Sequence, residues 1–93
     1  MTPASSRNPR LIFVFPRSDV LWFYMKNTRI PLDMIFIDDR RMVTGVVHRA
    51  RPFDERTVGV GPIPNRYVLE VQAGFARRHG IAEGTQVSFR LPE

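Results

Sequence analysis

Cysteine is absent from this chain of 93 residues, lysine occurs once and histidine only twice. Without cysteine the protein can form neither a disulfide scaffold nor a thiolate metal site, so its core must hold without covalent cross-links. The two histidines, His48 and His79, are not accompanied by an HxH or HExxH spacing or by paired carboxylates. We therefore expect no metal site and no cofactor.

Long apolar runs are also missing. No segment approaches the length of about 18 apolar residues that a membrane-spanning helix requires. The first ten residues, MTPASSRNPR, lack the apolar region that is typical of a secretory signal. We predict a disordered tail over residues 1–10, a single β domain over residues 11–93 and, by default, a cytoplasmic location.

The charge is basic but dispersed. Fourteen basic residues against nine acidic ones give a formal net charge of +5, and thirteen of the basic residues are arginines spread along the chain. A basic balance is a mild indication of anionic partners. Because the longest arginine clusters are pairs, we predict a solvated basic surface and consider nucleic acid an unlikely partner.

The hydrophobic pattern is that of a β protein. Many short apolar runs separated by glycine and proline turns predict a mainly β domain, a small barrel or sandwich of about six strands. A short helix is expected near the C-terminus, at residues 73–79, ended by a left-handed Gly80. The predicted strands are residues 11–15, 20–25, 34–37, 42–49, 67–72 and 87–91.

Several of these segments carry a more specific expectation. Residues 17–19 should form a turn after Pro16, and residues 20–25, VLWFYM, should be a strand that is covered on both faces. Residues 51–66 are rich in proline and glycine and are predicted to be a long irregular loop, which is often functional. In residues 87–91, Val87 and Phe89 should face inward together with Leu91.

Five polar residues are the candidate ligand-binding residues. Lys26, Asn27 and Thr28, which we call the polar knot, supply an ammonium, an amide and a hydroxyl between two apolar runs. They could bind a carboxylate, a phosphate or a sugar hydroxyl, or satisfy backbone groups in a turn. Asp33 is expected to pair with Lys26 or to cap the polar knot. Glu70, in an apolar strand, needs a cation if it is buried, and Lys26 or an arginine is the natural partner.

Four aromatic residues lie in or near these runs: Trp22, Phe23, Tyr24 and Phe36. In sheets that stack nucleic-acid bases, aromatic residues alternate with outward basic residues. Here the alternate positions are also apolar. We therefore expect the four side chains to pack in the core.

The order of these motifs resembles one known family. The stretch FYMKNTRIPLDMIFID, the strand that leads to Ala50 and Pro52, and the blocks YVLEVQAG and GIAEGTQVSF are similar to the bacterial and archaeal family called domain of unknown function 192. The resemblance implies a compact, mainly β domain and no established activity. Tyr24 stands where the family usually has tryptophan, a volume that Trp22 is expected to fill.

The same resemblance bears on oligomeric state and location. Family members generally carry an additional strand and a helical segment before the block that begins at Leu11, and many have an export signal. This chain therefore resembles an N-terminally short member, with a sheet edge left open to pair in a homodimer. The resemblance also keeps a periplasmic location open.

Two functions follow from these residues. The first is a non-catalytic binding module that recognises a small polar or anionic ligand, or an envelope component, around residues 26–33 and the loop of residues 51–66. The alternative is a lyase- or hydrolase-type enzyme that uses Lys26 with Asp33 or Glu70 as acid and base. Since cysteine is absent and no serine lies in a GxSxG elbow, the sequence favours the binding module.

Overall fold

Six strands and one helix make up the regular structure of residues 11–90, the part of the chain that this computed structural model describes. They are β1 (Leu11–Val20), β2 (Phe23–Tyr24), β3 (Leu32–Ile37), β4 (Val43–Ala50), β5 (Thr57–Val58), β6 (Pro64–Gln72) and α1 (Phe75–Arg78). One antiparallel sheet has the order β1-β6-β3-β4, and β2 and β5 form a second sheet. The mainly β prediction is confirmed. The sheets form a sandwich-like arrangement and do not close into a barrel.

Strand β3 is the centre of the molecule. It pairs with β4 on one side and with β6 on the other, and all six of its residues are buried. A strand that is covered on both faces reads as a continuous apolar run, which is the pattern of MIFI in the sequence. Full burial of a side chain such as Phe36 contributes about 1.5–3 kcal/mol to stability.

Alternation along the strands divides the core between the two faces of the large sheet. On the first face, Met34, Phe36 and Val68 pack with Leu21 and Met25 under the small sheet. Phe23 of β2 enters this cluster edge-on against Phe13, Phe15 and Phe36, with centroid distances of 5.3, 6.2 and 5.9 Å. On the second face, Ile35, Ile37 and Val71 pack under α1 and the C-terminal segment.

Helix α1 ends as the sequence predicts, although it is shorter than expected. The N–H of Gly80 donates to the carbonyl of Arg77 and the N–H of Ile81 to that of Ala76, at 3.2 and 2.8 Å. These two hydrogen bonds are the pair that defines a Schellman motif, and Gly80 has the positive φ of 65° that the motif requires. No helix within residues 11–90 has the length and apolar character to cross a membrane.

Two predictions about the first strands are wrong. Residues 17–19 lie within β1 and form no separate turn, because the register between β1 and β6 shifts between Val14 and Asp19 and so accommodates Pro16. Residues 20–25 are not a doubly covered strand. Only Phe23 and Tyr24 are in β2, whereas Trp22 and Tyr24 are 52% and 63% exposed.

The remaining segments differ from the prediction in detail. Residues 51–66 contain β5 and the first residues of β6 instead of being wholly irregular. Residues 87–90 form no strand, and the nearest pairing is an isolated bridge between Met42 and Gln86. The predicted alternation holds, since Val87 and Phe89 pack on the second face of the sheet. Leu91 and the predicted tail lie outside the described residues.

Arg41 holds the C-terminal segment against the sheet. Its guanidinium donates to the carbonyl of Phe89 and lies over the Phe89 ring, with 3.7 Å from Cζ to the ring centroid. The same guanidinium also contacts the ring of Tyr67, with 5.1 Å from Cζ of Arg41 to the ring centroid. A planar, weakly hydrated cation suits such stacking. The segment is therefore packed without belonging to a strand.

Candidate functional site

The polar knot forms a tight turn at the start of the connection from β2 to β3. The N–H of Thr28 donates to the carbonyl of Met25 at 3.1 Å, which closes the turn around Lys26 and Asn27. Met25 is fully buried and fixes the turn to the first face of the sheet. Lys26 and Asn27 are exposed, and the Asn27 side chain makes no hydrogen bond within residues 11–90. The Asn27 side chain therefore does not satisfy a backbone group of the turn.

The side chains of the turn line an open cleft of about 460 Å³. Its lining residues are Tyr24, Lys26, Asn27 and Glu55. The ammonium of Lys26 lies 4.0 Å from the nearer carboxylate oxygen of Glu55, and both side chains are mostly exposed. An exposed ion pair at this distance is weak, so both groups stay available to a ligand. The cleft thus offers an aromatic ring, a cation, an amide and a carboxylate.

The loop that carries Glu55 is fastened to the polar knot. The N–H of Phe53 donates to the carbonyl of Thr28 at 3.1 Å. Within the loop, Arg56 donates to both carboxylate oxygens of Asp54, and its hydrogen bonds lower the pKa of Asp54 to about 2. Asp54 is therefore ionised throughout the neutral range. These bonds give the loop a defined conformation beside the cleft.

Asp33 is buried away from the cleft and has another set of partners. Its Oδ1 accepts the backbone N–H of Arg49 at 2.9 Å, and its Oδ2 accepts those of Gly74 and Ala76 at 3.0 Å each. The prediction that Asp33 pairs with Lys26 or caps the polar knot is wrong. Alternation along β3 places Asp33 toward α1 while Met34 faces the cluster that contains Met25.

Glu70 lies on β6 opposite Leu11 of β1 and Met34 of β3. The side chain is half-buried on the face of Val68, and burial raises the pKa of its carboxyl above the ordinary value of 4.5. Within residues 11–90, the carboxylate forms no ion pair with Lys26 or with an arginine. The predicted bridge between Lys26 and Glu70 is wrong for the described part of the chain.

The structure therefore brings together only part of the predicted set. Lys26 and Asn27 share a cleft, and Thr28 contributes its backbone carbonyl to the loop beside it. Asp33 accepts backbone N–H groups at the start of α1. Glu70 lies on the large sheet without a cationic partner in residues 11–90. No convergent site of lysine and two carboxylates is formed by these side chains.

Three residues in or beside the cleft, Trp22, Tyr24 and Glu55, were not predicted from the sequence to be there. Tyr24 and Trp22 were expected in the core, as Phe23 and Phe36 indeed are, but the alternation around Phe23 turns both outward. Because all the residues of VLWFYM are apolar, their polarity gave no indication of which positions face solvent. Glu55 lies 29 residues from Lys26 in an irregular loop, and no local signal in the sequence links the two.

A second polar cluster has a structural role. Asn65 is fully buried, accepts the hydroxyl of Thr44 at 2.6 Å and donates to the carbonyl of Ile63 at 3.0 Å. These bonds satisfy a buried amide where β6 begins. Elsewhere in residues 11–90, no group of three histidine or acidic side chains is placed to hold a metal ion.

Comparison with known proteins identifies similar chains. The family model of domain of unknown function 192, described as an uncharacterised ACR, matches residues 4–89. A crystal structure of a protein of unknown function from Novosphingobium aromaticivorans DSM 12444 is 38% identical, with a TM-score of 0.80 over 86% of this chain. A candidate transcription regulator from Sinorhizobium meliloti 1021 is 33% identical, with a TM-score of 0.76 over 81% of this chain.

The similarity extends over only part of those two proteins. This chain covers 56% of the Novosphingobium protein and 57% of the Sinorhizobium protein. Comparison with curated proteins finds no significant match.

Proposed function

The chain belongs to the family called domain of unknown function 192, and we propose that it acts as a non-catalytic binding module for a small polar or anionic ligand or an envelope component. The observation that carries this proposal is the cleft of Tyr24, Lys26, Asn27 and Glu55. Its polar groups converge on one open space: Lys26 and Asn27 lie on a turn that is anchored in the core, and Glu55 lies on a loop that is bonded to this turn. Pockets of this kind orient a ligand through a few placed polar groups.

The availability of the polar groups supports binding. The Lys26 ammonium has three donors and the Asn27 amide has two donors and one acceptor. Only the weak contact with Glu55 occupies any of them within the described part of the chain. A carboxylate, a phosphate or a sugar hydroxyl can therefore replace water at Lys26 without the loss of a strong internal bond.

The alternative, an enzyme of lyase or hydrolase type, has less support. It requires Asp33 or Glu70 within hydrogen-bond reach of a group that Lys26 also contacts. Asp33 is buried, and both of its oxygens accept backbone N–H groups at the end of β4 and the start of α1, away from Lys26. Glu70 has a raised pKa, as an acid–base residue often does, but it forms no pair with Lys26.

Nucleic-acid binding also has less support, although one relative carries the description of a candidate transcription regulator. Helix α1 has four residues and is too short to act as a recognition helix. The cleft pairs its cation with the carboxylate of Glu55, which would repel a polyanion. Binding to DNA that weakens steeply with salt would contradict this reasoning.

The test is a thermal-shift screen of dicarboxylates, sugar phosphates and neutral oligosaccharides. We expect at least one compound to raise the melting temperature of the wild type and not that of Lys26→Met. The matched control is Arg77→Met, which removes an exposed cation from α1 on the other face of the sheet. A ligand should stabilise this control as it does the wild type.

The results separate a binding role from an architectural one. If Lys26→Met lowers the melting temperature sharply and no compound stabilises the wild type, the polar knot is architectural and the proposal is wrong. If a compound stabilises wild type and Lys26→Met equally, the ligand binds elsewhere and the cleft is not the site. Because Lys26 is mostly exposed, we expect the variant to fold.

We further propose that the open edge of β1 pairs with a second copy of the chain. Strand β1 is an edge strand of the large sheet and pairs only with β6 among the described residues. Its first residues precede the register shift and keep a regular ladder, which suits pairing with another strand.

A further inference from the structure

Two aromatic side chains at the cleft and beside it are exposed to solvent instead of packing in the core. Phe23 is anchored among Phe13, Phe15 and Phe36, and its two neighbours in sequence, Trp22 and Tyr24, are 52% and 63% exposed. Monomeric proteins seldom present large aromatic side chains together without a reason, and such surfaces mark binding sites. We call Trp22 and Tyr24 the aromatic pair.

The geometry of the small sheet supports the pair from below. A Cβ atom on Gly59 would lie 2.8 Å from Cε3 of Trp22 and 2.9 Å from the carbonyl oxygen of Leu21. The Trp22 ring therefore rests directly on the backbone of Gly59, a contact that only glycine permits. Tyr24 lies opposite Thr57 in the ladder between β2 and β5. The Trp22 ring is thus held against the backbone of Gly59, while Trp22 and Tyr24 both stay more than half exposed.

A third aromatic side chain is exposed at an energetic cost. Phe53 is 60% exposed and has a φ of 59°, which is unfavourable for a residue with a Cβ atom. Its N–H is bonded to Thr28 of the polar knot. Strained backbone that presents a side chain to solvent often belongs to a functional site. The loop thus exposes an aromatic ring next to the residues that line the cleft.

We infer that the aromatic pair and the cleft together bind a pyranose-containing oligosaccharide. The face of an aromatic ring carries partial negative charge and attracts the weakly polarised C–H groups on the face of a sugar ring. The amide of Asn27, the ammonium of Lys26 and the carboxylate of Glu55 supply donors and acceptors for hydroxyls. The mixture of one cation and one anion suits a polar, nearly neutral ligand better than a polyanion. This inference rests on the proposed function and specifies its ligand class.

The single tryptophan of the chain makes the inference measurable. Trp22 is the only tryptophan, so its fluorescence reports on the aromatic pair alone. We expect chitotriose or maltotriose to shift its emission to shorter wavelength as a sugar ring displaces water. Tyr24→Ala should weaken this binding about tenfold, which corresponds to the loss of one aromatic contact.

Two controls make the measurement specific. Val14→Ala removes an exposed apolar side chain from β1 on the large sheet and should leave the titration unchanged. Tyr24→Phe retains the aromatic face and should retain most of the affinity. A melting curve for each variant shows that it is folded.

The outcomes distinguish this inference from the proposed function. If neither trisaccharide changes Trp22 emission at millimolar concentration, or if Tyr24→Ala binds as tightly as the wild type, the inference is wrong. When the thermal-shift screen nevertheless yields a ligand that depends on Lys26, the binding module stands with a different ligand class. Saturable binding that requires both Tyr24 and Lys26 supports both.

Discussion

At the scale of single residues, Glu70 is a carboxyl group whose pKa is raised by partial burial. It is half-buried beside Val68 and Met34 and has no cationic partner within residues 11–90. Burial disfavours the charged form, so the folded protein holds the proton to higher pH than the unfolded chain does. Such a group makes stability depend on pH.

The melting temperature of the wild type should fall as pH rises because Glu70 becomes charged. We predict that this fall is absent in Glu70→Gln. Below the unfolded pKa of about 4.5 the carboxyl is protonated in both states, and its burial carries no charge penalty. As pH rises through the higher pKa of the folded state, the buried group ionises and stability falls. Melting temperatures from pH 3.5 to 8 should therefore coincide at the acid end and favour Glu70→Gln at neutral pH.

The control is Glu83→Gln, which removes an exposed carboxylate from the turn before Thr85. If the melting temperature of Glu70→Gln changes with pH in parallel with that of the wild type, Glu70 is not the group whose ionisation lowers stability. A variant less stable than the wild type at pH 7 would indicate that Glu70 has a favourable ionic partner.

At the scale of elements, Asp33 joins β3, β4 and α1. One carboxylate accepts an N–H from the end of β4 and two from the start of the helix. A negative charge is favourable at the N-terminus of a helix, and α1 has no acidic residue in its own first turn. Gly74, with a φ of 93°, turns the chain so that these N–H groups point at Asp33.

We predict that Asp33→Ala lowers the free energy of unfolding by roughly 3 kcal/mol, because three backbone donors lose their acceptor. Asp33→Asn should be intermediate, since the amide keeps one acceptor oxygen and turns a donor toward the other N–H groups. Urea denaturation measures both changes. The matched control, Asp39→Ala, removes an exposed aspartate at the next turn and should change stability by less than about 0.5 kcal/mol.

The same variants separate structure from binding. If Asp33→Ala is as stable as the control and instead abolishes ligand binding, Asp33 is a site residue and its interpretation as a structural join is wrong. We expect the opposite, with ligand binding per folded molecule unchanged in Asp33→Asn.

At the scale of the whole molecule, the two edges of the large sheet differ. The start of β4 is covered by the segment that follows α1, since Val43 exchanges hydrogen bonds with Thr85 and Gly84 at 2.8 Å each. Strand β1 has no such cover among the described residues, and Val14 on it is 47% exposed. An uncovered strand edge is a template for pairing.

We predict that the chain forms a homodimer through β1, with twice the chain mass in light scattering at high concentration. Val14→Lys should shift this equilibrium toward the monomer, because a charge on an edge strand opposes pairing. Ile63→Lys places the same charge at an exposed residue outside β1 and serves as the control. A strictly monomeric wild type across the concentration range would rule out the dimer.

Much of the fold could be predicted from local patterns. The apolar run of β3, the glycine that ends α1 and the inward alternation of Val87 and Phe89 were all predicted and are confirmed. Each depends on a physical preference that acts within a few residues, such as a positive φ or a period of two. The order of the motifs, of which the one with Lys26, Asn27 and Thr28 is the first, likewise predicted the family, and the family match over residues 4–89 confirms it.

The composition of the site was not predictable in this way. The pairing of Lys26 with Glu55, the separation of Asp33 from Lys26 and the exposure of Trp22 depend on residues distant in sequence. A carboxylate in an apolar strand gives no indication of its partner, since any nearby donor satisfies it. For Asp33 the donors are backbone N–H groups 16 to 43 residues away.

The sequence by itself determined a mainly β domain with a polar turn between two apolar runs, because side-chain polarity and turn chemistry act locally. Tertiary structure decided which face each residue takes and which groups meet. Phe23 went into the core and turned Trp22 and Tyr24 outward, since adjacent residues of a strand face opposite sides. The loop bond from Phe53 to Thr28 then brought Glu55 to the cleft, a contact that only the folded chain can make.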